Sequence, residues 1–273
     1  MSRLFPDRIF IGLAPESLGL IRLRGVRVNE KRTLACDPVP GAEPWRGALA
    51  ALSRLAGDLG NENARVTVVL SNHFARYALV PASETLSSGA EEDAFVRYCF
   101  AKVHGERSKD WDMRLSRTPT GSARVASAVD SALVHAIRGA FPAGAKAKLV
   151  SVQPYLMSAF NRWRTLFSGV RGWLLLVEPE RACLARFDNG WLNAVRNARG
   201  SFEDPAHWAE LLDRERLLAG TAETPEGVYV HAPRGPKGTS AVRGWNFRSL
   251  ALDQLEGLAP AEADPFSMAL CAR

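Results

Sequence analysis

Apolar positions fall into two long blocks that share one layout. In the first, Ile9–Leu13 and Leu18–Leu23 flank Pro15-Glu16; in the second, Trp173–Val177 and Ala182–Phe187 flank Pro179-Glu180. Each block reads as a strand, a tight Pro-Glu turn, and a returning strand that ends in a polar or basic turn. Pro suits the first central position of a type I turn and Glu a solvated tip. A third strand follows each hairpin, at 27–38 in the first block and near Trp191–Arg196 in the second. A helix comes next in both halves. One runs from about Pro44 to Leu59, with Trp45, Leu49, Leu52, Leu55 and Leu59 at three- and four-residue steps; the other runs from Asp204-Pro205 to Leu218. The strands Arg65–Leu70 and Val228–Val230 close the two units, the first apolar enough for burial on both faces. Hairpin, third strand, helix, strand, twice over, is the order an internal duplication produces.

The stretch between the units carries further elements. His73–Val80 reads as a strand stopped by Pro81, and Ser83–Gly89 as a polar loop. Glu91–His104 is helical in pattern, with Glu91, Glu92 and Asp93 in the first turn and Gly105 at its end. Strands at Trp111–Arg117 and Arg124–Val129 are joined by the turn signal Thr118–Ser122. A helix at Ser131–Ala140, a strand at Lys148–Val152 and a helix from Pro154 to about Phe167 lead into the second block. Beyond it come a Gly/Pro/Lys loop at 233–238, a short segment at Trp245–Leu250, and a terminal helix, Phe266–Ala272, begun by Asp264-Pro265.

Composition narrows the function classes. With 47% apolar and 23% charged residues, the 273-residue chain has the make-up of a soluble globular protein large enough for two lobes. Its apolar runs fall far short of the roughly 20 residues that cross a bilayer. Arg3, Asp7 and Arg8 interrupt any signal-peptide core, so a cytoplasmic protein is expected. Cys36, Cys99, Cys183 and Cys271 are widely spaced and form no C-x-x-C, which suits reduced, buried thiols. The five histidines lack ligand spacing, so no metal site is expected. The net charge of +6 is thinly spread, without a Lys/Arg run, and points to a solvated basic surface rather than to nucleic acid. Trp163, Trp173, Trp191, Trp208 and Trp245 are expected mainly in core or lobe-interface packing. G-x-S-x-G and Walker-type phosphate motifs are absent; Gly235-Pro-Lys-Gly-Thr239 has the wrong spacing and a Pro inside.

This order of elements resembles the actin-like (ASKHA) fold, and within it the PilM/MshI-type pilus-assembly family, related to the cytoplasmic domain of type II secretion L-proteins. Ile9–Arg24 and Trp173–Gly190 stand where that family has its two phosphate hairpins. Val66–Pro81 matches the strand pair leading to an inserted subdomain, Lys148–Trp163 the strand and helix joining the lobes, and 264–273 the closing helix. The resemblance implies an α/β protein with a duplicated actin-like/ribonuclease H-like two-lobe fold and mixed sheets flanked by helices. It implies a first lobe at 1–167, with an insertion at about 72–130, and a second at 168–273 whose terminal helix packs back on the first.

The departures from that family bear on chemistry. Phe10 stands where the first hairpin carries Asp, before Ile11-Gly12, and the turn Pro15-Glu16 holds no Lys. The second hairpin reads Glu178-Pro179-Glu180 in place of Asp-x-Gly. The adenosine-side Gly-Gly is replaced by Ala232-Pro233-Arg234-Gly235. Phosphate loops work by aiming successive backbone N–H groups at the anion. Pro15 and Pro179 each delete such a donor, Glu16 and Glu180 add negative charge, and Phe10 has no hard oxygen for magnesium. No ATP or magnesium cofactor is therefore expected. The resemblance implies a non-catalytic scaffold of a type IV pilus or type II secretion-like platform, cytoplasmic or held peripherally at the inner membrane. It would bind the cytoplasmic tail of a bitopic inner-membrane partner, with the insertion as a candidate for self-association. The alternative is a true ASKHA ATPase or kinase with unusual phosphate loops.

Overall fold

Two sheets of like strand order carry the fold. The computed structural model describes residues 6–83, 88–116, 122–219 and 227–273. The first sheet contains β1 (Asp7–Leu13), β2 (Ser17–Arg24), β3 (Arg27–Ala35), β4 (Ala64–Leu70) and β8 (Ala147–Pro154), in the order β3-β2-β1-β4-β8. The second contains β9 (Arg171–Glu178), β10 (Arg181–Asp188), β11 (Trp191–Arg199), β12 (Gly227–His231), β13 (Thr239–Val242) and β14 (Trp245–Ser249), in the order β11-β10-β9-β12-β14-β13. In each, an antiparallel three-stranded meander is extended by a strand parallel to its first member: β4 beside β1, β12 beside β9. The crossover in each case holds a helix, α1 (Arg46–Leu59) in the first sheet and α5 (Pro205–Ala219) in the second.

Burial on both faces explains why the first strands read as unbroken apolar runs. Ile9, Ile11 and Leu13 of β1 face Ala48, Leu52 and Leu55 of α1. Phe10, with Ile21 and Leu23, faces the C-terminal stretch through Leu255, Leu258, Phe266 and Leu270. In the second sheet, Trp173 and Leu175 pack with Trp208 and Leu212 of α5. Leu174 and Leu176 turn the other way and share a core with Tyr155, Leu156 and Phe160 of α4 (Tyr155–Arg162) and with Cys271. That shared core joins the two lobes.

A third sheet, β5-β7-β6, is built from β5 (Ala75–Val80), β6 (Trp111–Leu115) and β7 (Arg124–Asp130). It is covered by α2 (Gly89–His104), whose Val96 and Phe100 pack on Val80, Ala126 and Ala128. Ser88 and Glu91 form a reciprocal capping box at the start of α2, so this helix begins two residues before the acidic turn read from sequence. Asp130 caps α3 (Ser131–Ala140) by accepting from the Ala132 N–H at 2.8 Å.

The C-terminal stretch lies across β1 and β2 of the first sheet. It comes so close at Gly19 that a Cβ there would lie 2.3 Å from the Pro265 carbonyl oxygen. Its regular part is only one turn, α6 (Ser267–Leu270), after a 3-10 turn at Asp264–Phe266, and is shorter than the expected 266–272 helix. The Ser267 hydroxyl bonds back to the Ala263 carbonyl at 3.0 Å, and Phe266 sinks into the core, so packing rather than helical propagation fixes this segment. Similarly, α4 stops at Arg162 and gives way to a 3-10 turn at Arg164–Phe167. The third strand ends at Ala35 rather than 38, and β5 begins at Ala75 because 71–74 turn away to other partners. The strand β13, which pairs antiparallel with β14, had no signal in the sequence. Arg117 and most of the Thr118–Ser122 turn lie outside the described residues, as does most of the Ser83–Gly89 loop. All four cysteines are free, and Cys36, Cys183 and Cys271 are buried. Of the five tryptophans expected in packing, Trp191 alone is not fully buried.

Candidate functional site at the junction of the lobes

The two Pro-Glu turns differ in geometry. Residues 14–16 connect β1 to β2; the Ala14 N–H meets the Ser17 carbonyl at 3.0 Å, and the Glu16 carbonyl accepts from Cys36 at 2.9 Å. Pro179-Glu180 is a two-residue connection with Glu180 at φ +54°. A positive φ after Pro belongs to a type II turn, so the type I expectation fails there. Register explains it: Glu178 and Arg181 are direct partners, and Glu180 must take the left-handed conformation to close so short a loop.

Phe10 and Gly12 do not face a cleft. Phe10 is 4% exposed beneath the C-terminal stretch. A Cβ on Gly12 would lie 3.0 Å from Met268 Cε and 3.3 Å from the Ala269 nitrogen, so glycine here lets α6 approach closely. Glu178 is placed quite differently. At the end of β9, on the side facing the first lobe, its carboxylate accepts from the Ser71 hydroxyl and, at 3.1 Å, from the Asn72 N–H. The Ser71 N–H donates to the Leu13 carbonyl at 3.0 Å. Ser71 therefore ties the end of the first hairpin strand to the end of the second.

Neighbouring bonds complete a polar seam. The Tyr77 hydroxyl donates to Asn72 Oδ1 at 2.8 Å, and Asn197 Nδ2 reaches the Ala75 and Asn72 carbonyls at 3.2 and 3.4 Å. His73 Nε2 lies 2.9 Å from the Pro179 carbonyl, which can only accept, so Nε2 carries the proton. Burial raises the Glu178 carboxyl above the ordinary range, although the bonds from Ser71 and Asn72 pull it back. Burial lowers His73, and Arg181 adds to the effect. Both Glu178 oxygens are thus engaged by the protein itself. Ser71, Asn72, His73, Tyr77 and Asn197 carried no signal in the sequence, since each gains its role from a partner on another element.

The 232–235 loop closes on itself. The Gly235 N–H bonds the Ala232 carbonyl at 3.0 Å, and Lys237 Nζ covers the Ala232 and Pro233 carbonyls. A Cβ on Gly235 would lie 2.7 Å from the Ala232 Cβ and 3.5 Å from the Trp208 ring of α5, while Arg234 is exposed. Just before the loop, His231 is buried with its Nδ1 3.3 Å from the Leu250 carbonyl and its ring against Trp163 and Tyr155. Burial depresses its pKa to about 4. The structure thus joins Glu178 and Pro179 to Ser71–His73 and holds Phe10, Gly12 and Ala232–Gly235 in other packing. Among the described residues, no group of three or more His, Cys, Asp or Glu side chains is placed to hold a metal ion.

A groove of about 700 Å³ opens in the first lobe between β8, α3 and the inserted sheet. Leu115, Val125, Val134, Val150, Val152 and Met157 give it an apolar lining. A bulge in β8 opposite Val66/Thr67 leaves Val150 without a partner and turns it outward, 46% exposed. At the rim, Asp112 accepts from Ser131 at 3.4 Å and faces Arg138 at 3.9 Å, whereas Arg114 makes no ion pair among the described residues.

No family model and no curated protein matches the chain. Solved structures do. The cytoplasmic domain of EpsL, an inner membrane component of the type II secretion system of Vibrio cholerae, is similar over 98% of this chain and 96% of its own, at TM-score 0.59 and 11% identity. A chain of the PilM-PilN type IV pilus biogenesis complex is similar over 82% and 80%, at TM-score 0.58 and 14% identity. A Bacteroides thetaiotaomicron protein of unknown function with an actin-like ATPase fold is similar over 83% and 82%, at TM-score 0.55 and 9% identity. Identities this low speak to architecture alone. No helix among the described residues is long and apolar enough to cross a membrane. The repeated strand order, the two crossover helices and these likenesses give one conclusion: the chain has the actin-like, two-lobed α/β fold.

Proposed function

We propose that this protein is a non-catalytic, actin-like scaffold of a type IV pilus or type II secretion-like assembly platform. It works in the cytoplasm at the inner membrane and binds the cytoplasmic tail of a bitopic membrane partner. The observation that carries the reading is the bonding of Glu178 to Ser71 and Asn72. Glu178, at the end of the strand leading into the second hairpin turn, fastens the lobes with one protein donor on each of its oxygens. The Pro-Glu turns and the burial of Phe10 agree with this. The groove beside β8 supplies the tail site, and its apolar floor suits a short extended segment with alternate apolar side chains. Arg114 and Arg138 at its rim suit an acidic or carbonyl-rich edge on that segment. The inserted sheet that forms one wall is the candidate surface for self-association.

The test is fluorescence anisotropy with labelled N-terminal peptides of bitopic inner-membrane proteins encoded beside this chain. Val150→Asp, at an exposed position, is expected to weaken binding by at least about tenfold, the cost of one buried unpaired charge. Undiminished binding by Val150→Asp would overturn the groove assignment. Calorimetry with ATP tests the catalytic half: tight binding that requires magnesium would replace the scaffold by an ATPase.

A further inference from the structure

Three arginines that are remote in sequence meet at the seam. Arg181 and Arg199 are direct cross-strand partners on β10 and β11. Such partners project from the same face with Cβ atoms roughly 5 Å apart, an arrangement that is unfavourable for like charges. Their face is the one that carries Glu178, Cys183 and Asn197 toward the first lobe. Arg76, at the start of β5, approaches from the opposite side; one of its Nη groups bonds the His73 and Ala75 carbonyls, each at 3.1 Å.

Arg181 is the unusual member. It is only 7% exposed, yet its guanidinium makes no hydrogen bond or ion pair within the described residues, and its Nε is wholly enclosed. Buried arginine is ordinarily paired, because leaving its charge and donors unmet is costly. The nearby acids are outnumbered. Glu178, opposite Arg181 across the hairpin, supplies one negative charge but takes its hydrogen bonds from Ser71 and Asn72, and among the described residues neither Glu43 nor Glu180 forms an ion pair with any of the three arginines. Exposed Arg199 leaves the cluster open to solvent. Burial, with Arg76 and Arg199 alongside, pushes Arg181 below its usual range, and the single opposing carboxylate of Glu178 only partly offsets this.

We propose that Arg76, Arg181 and Arg199 form a metal-independent binding site for a phosphate-class oxyanion at the seam between the lobes. A tetrahedral oxyanion presents several acceptors to planar guanidinium forks and relieves three mutually repelling charges at once. The site uses side-chain cations in place of backbone N–H groups and magnesium; Arg181 follows directly on the second hairpin turn, and the site is separate from the tail groove. Because Arg76 belongs to the first lobe and Arg181 and Arg199 to the second, bound anion also holds the lobes together.

Isothermal titration calorimetry in EDTA tests this with pyrophosphate, inorganic phosphate and ATP, each against sodium chloride at matched ionic strength. Saturable binding of pyrophosphate is expected. ATP binding no tighter than pyrophosphate assigns the site to free phosphates, and tighter binding assigns it to a nucleotide. Arg199→Ala, at an exposed position, is expected to weaken binding by about tenfold or more while leaving the unliganded melting temperature unchanged. Arg181→Met is expected to abolish binding and to raise the unliganded melting temperature, whereas a purely structural arginine would lower it. No saturable binding of any of the three anions at millimolar concentration overturns the proposal, as does wild-type affinity in Arg199→Ala.

Discussion

The Asn72 backbone N–H donates to Glu178 Oε2 at 3.1 Å across a sequence separation of 106 residues. With the Ser71 hydroxyl on the other oxygen, this contact turns a carboxylate at the tip of a hairpin into a fastener between lobes. Glu178→Ala leaves the Ser71 and Asn72 donors unmet in a partly buried seam, and a loss of about 1–3 kcal/mol is expected in urea unfolding.

The same carboxyl makes stability depend on pH. Its folded pKa lies above the ordinary 4.5, so the folded state keeps a proton that the unfolded state has lost. The contribution is therefore fully present below 4.5 and is lost as pH rises through the raised folded value. Glu178→Gln should flatten this part of the curve, measured by thermal melts at closely spaced pH. An unchanged slope would show that another group carries it.

His231 works in the opposite sense. Its folded pKa of about 4 lies below the ordinary 6.5, so acidification drives protons onto the unfolded chain. Its contribution is complete above 6.5 and declines as pH falls toward 4, by roughly 3 kcal/mol over the window. His231→Phe is expected to remove that acid sensitivity, read as a smaller fall in melting temperature between the two pH limits.

Two glycines separate close approach from backbone conformation. In Gly19→Ala the new methyl meets the Pro265 carbonyl, and a loss of about 1–3 kcal/mol is expected, with faster proteolysis of the C-terminal stretch. Gly25→Ala meets nothing within 4 Å but must hold φ +64°, so about 1 kcal/mol is expected with unchanged proteolysis. Equal proteolysis in the two variants would mean that the terminal stretch is not held at Gly19.

Glu180 sits at φ +54°, where glycine is at ease. Glu180→Gly should stabilise the protein by up to about 1 kcal/mol, and Glu180→Val should destabilise it, both measured by chemical unfolding. A loss in Glu180→Gly would indicate that the glutamate side chain itself contributes.

Much of the architecture was legible in the chain. Ile9–Leu13 and Trp173–Val177 could be read as first strands because burial on both faces demands unbroken apolar runs, and Pro15 and Pro179 marked the turns. Leu52 and Leu55 betrayed α1 by their spacing. The candidate site was harder. Phe10 was legible as a residue that cannot bind magnesium, but the reason for its presence is Phe266 and Leu270, some 256 to 260 residues away. The proposed grouping of Arg76, Arg181 and Arg199 was not legible, because no sequence window of ordinary size holds them together.

By itself, the sequence determined the order of elements, the two repeated hairpins and the prolines and glutamates at their turns, because strand period and turn residues are local properties. Only the tertiary structure decided that Glu178 fastens the lobes, that Gly12 admits α6, and that Arg181 lies beside Arg199. Those facts depend on which strands lie side by side and which faces the lobes turn toward each other. Long-range packing sets both, and no periodicity within a single segment records it.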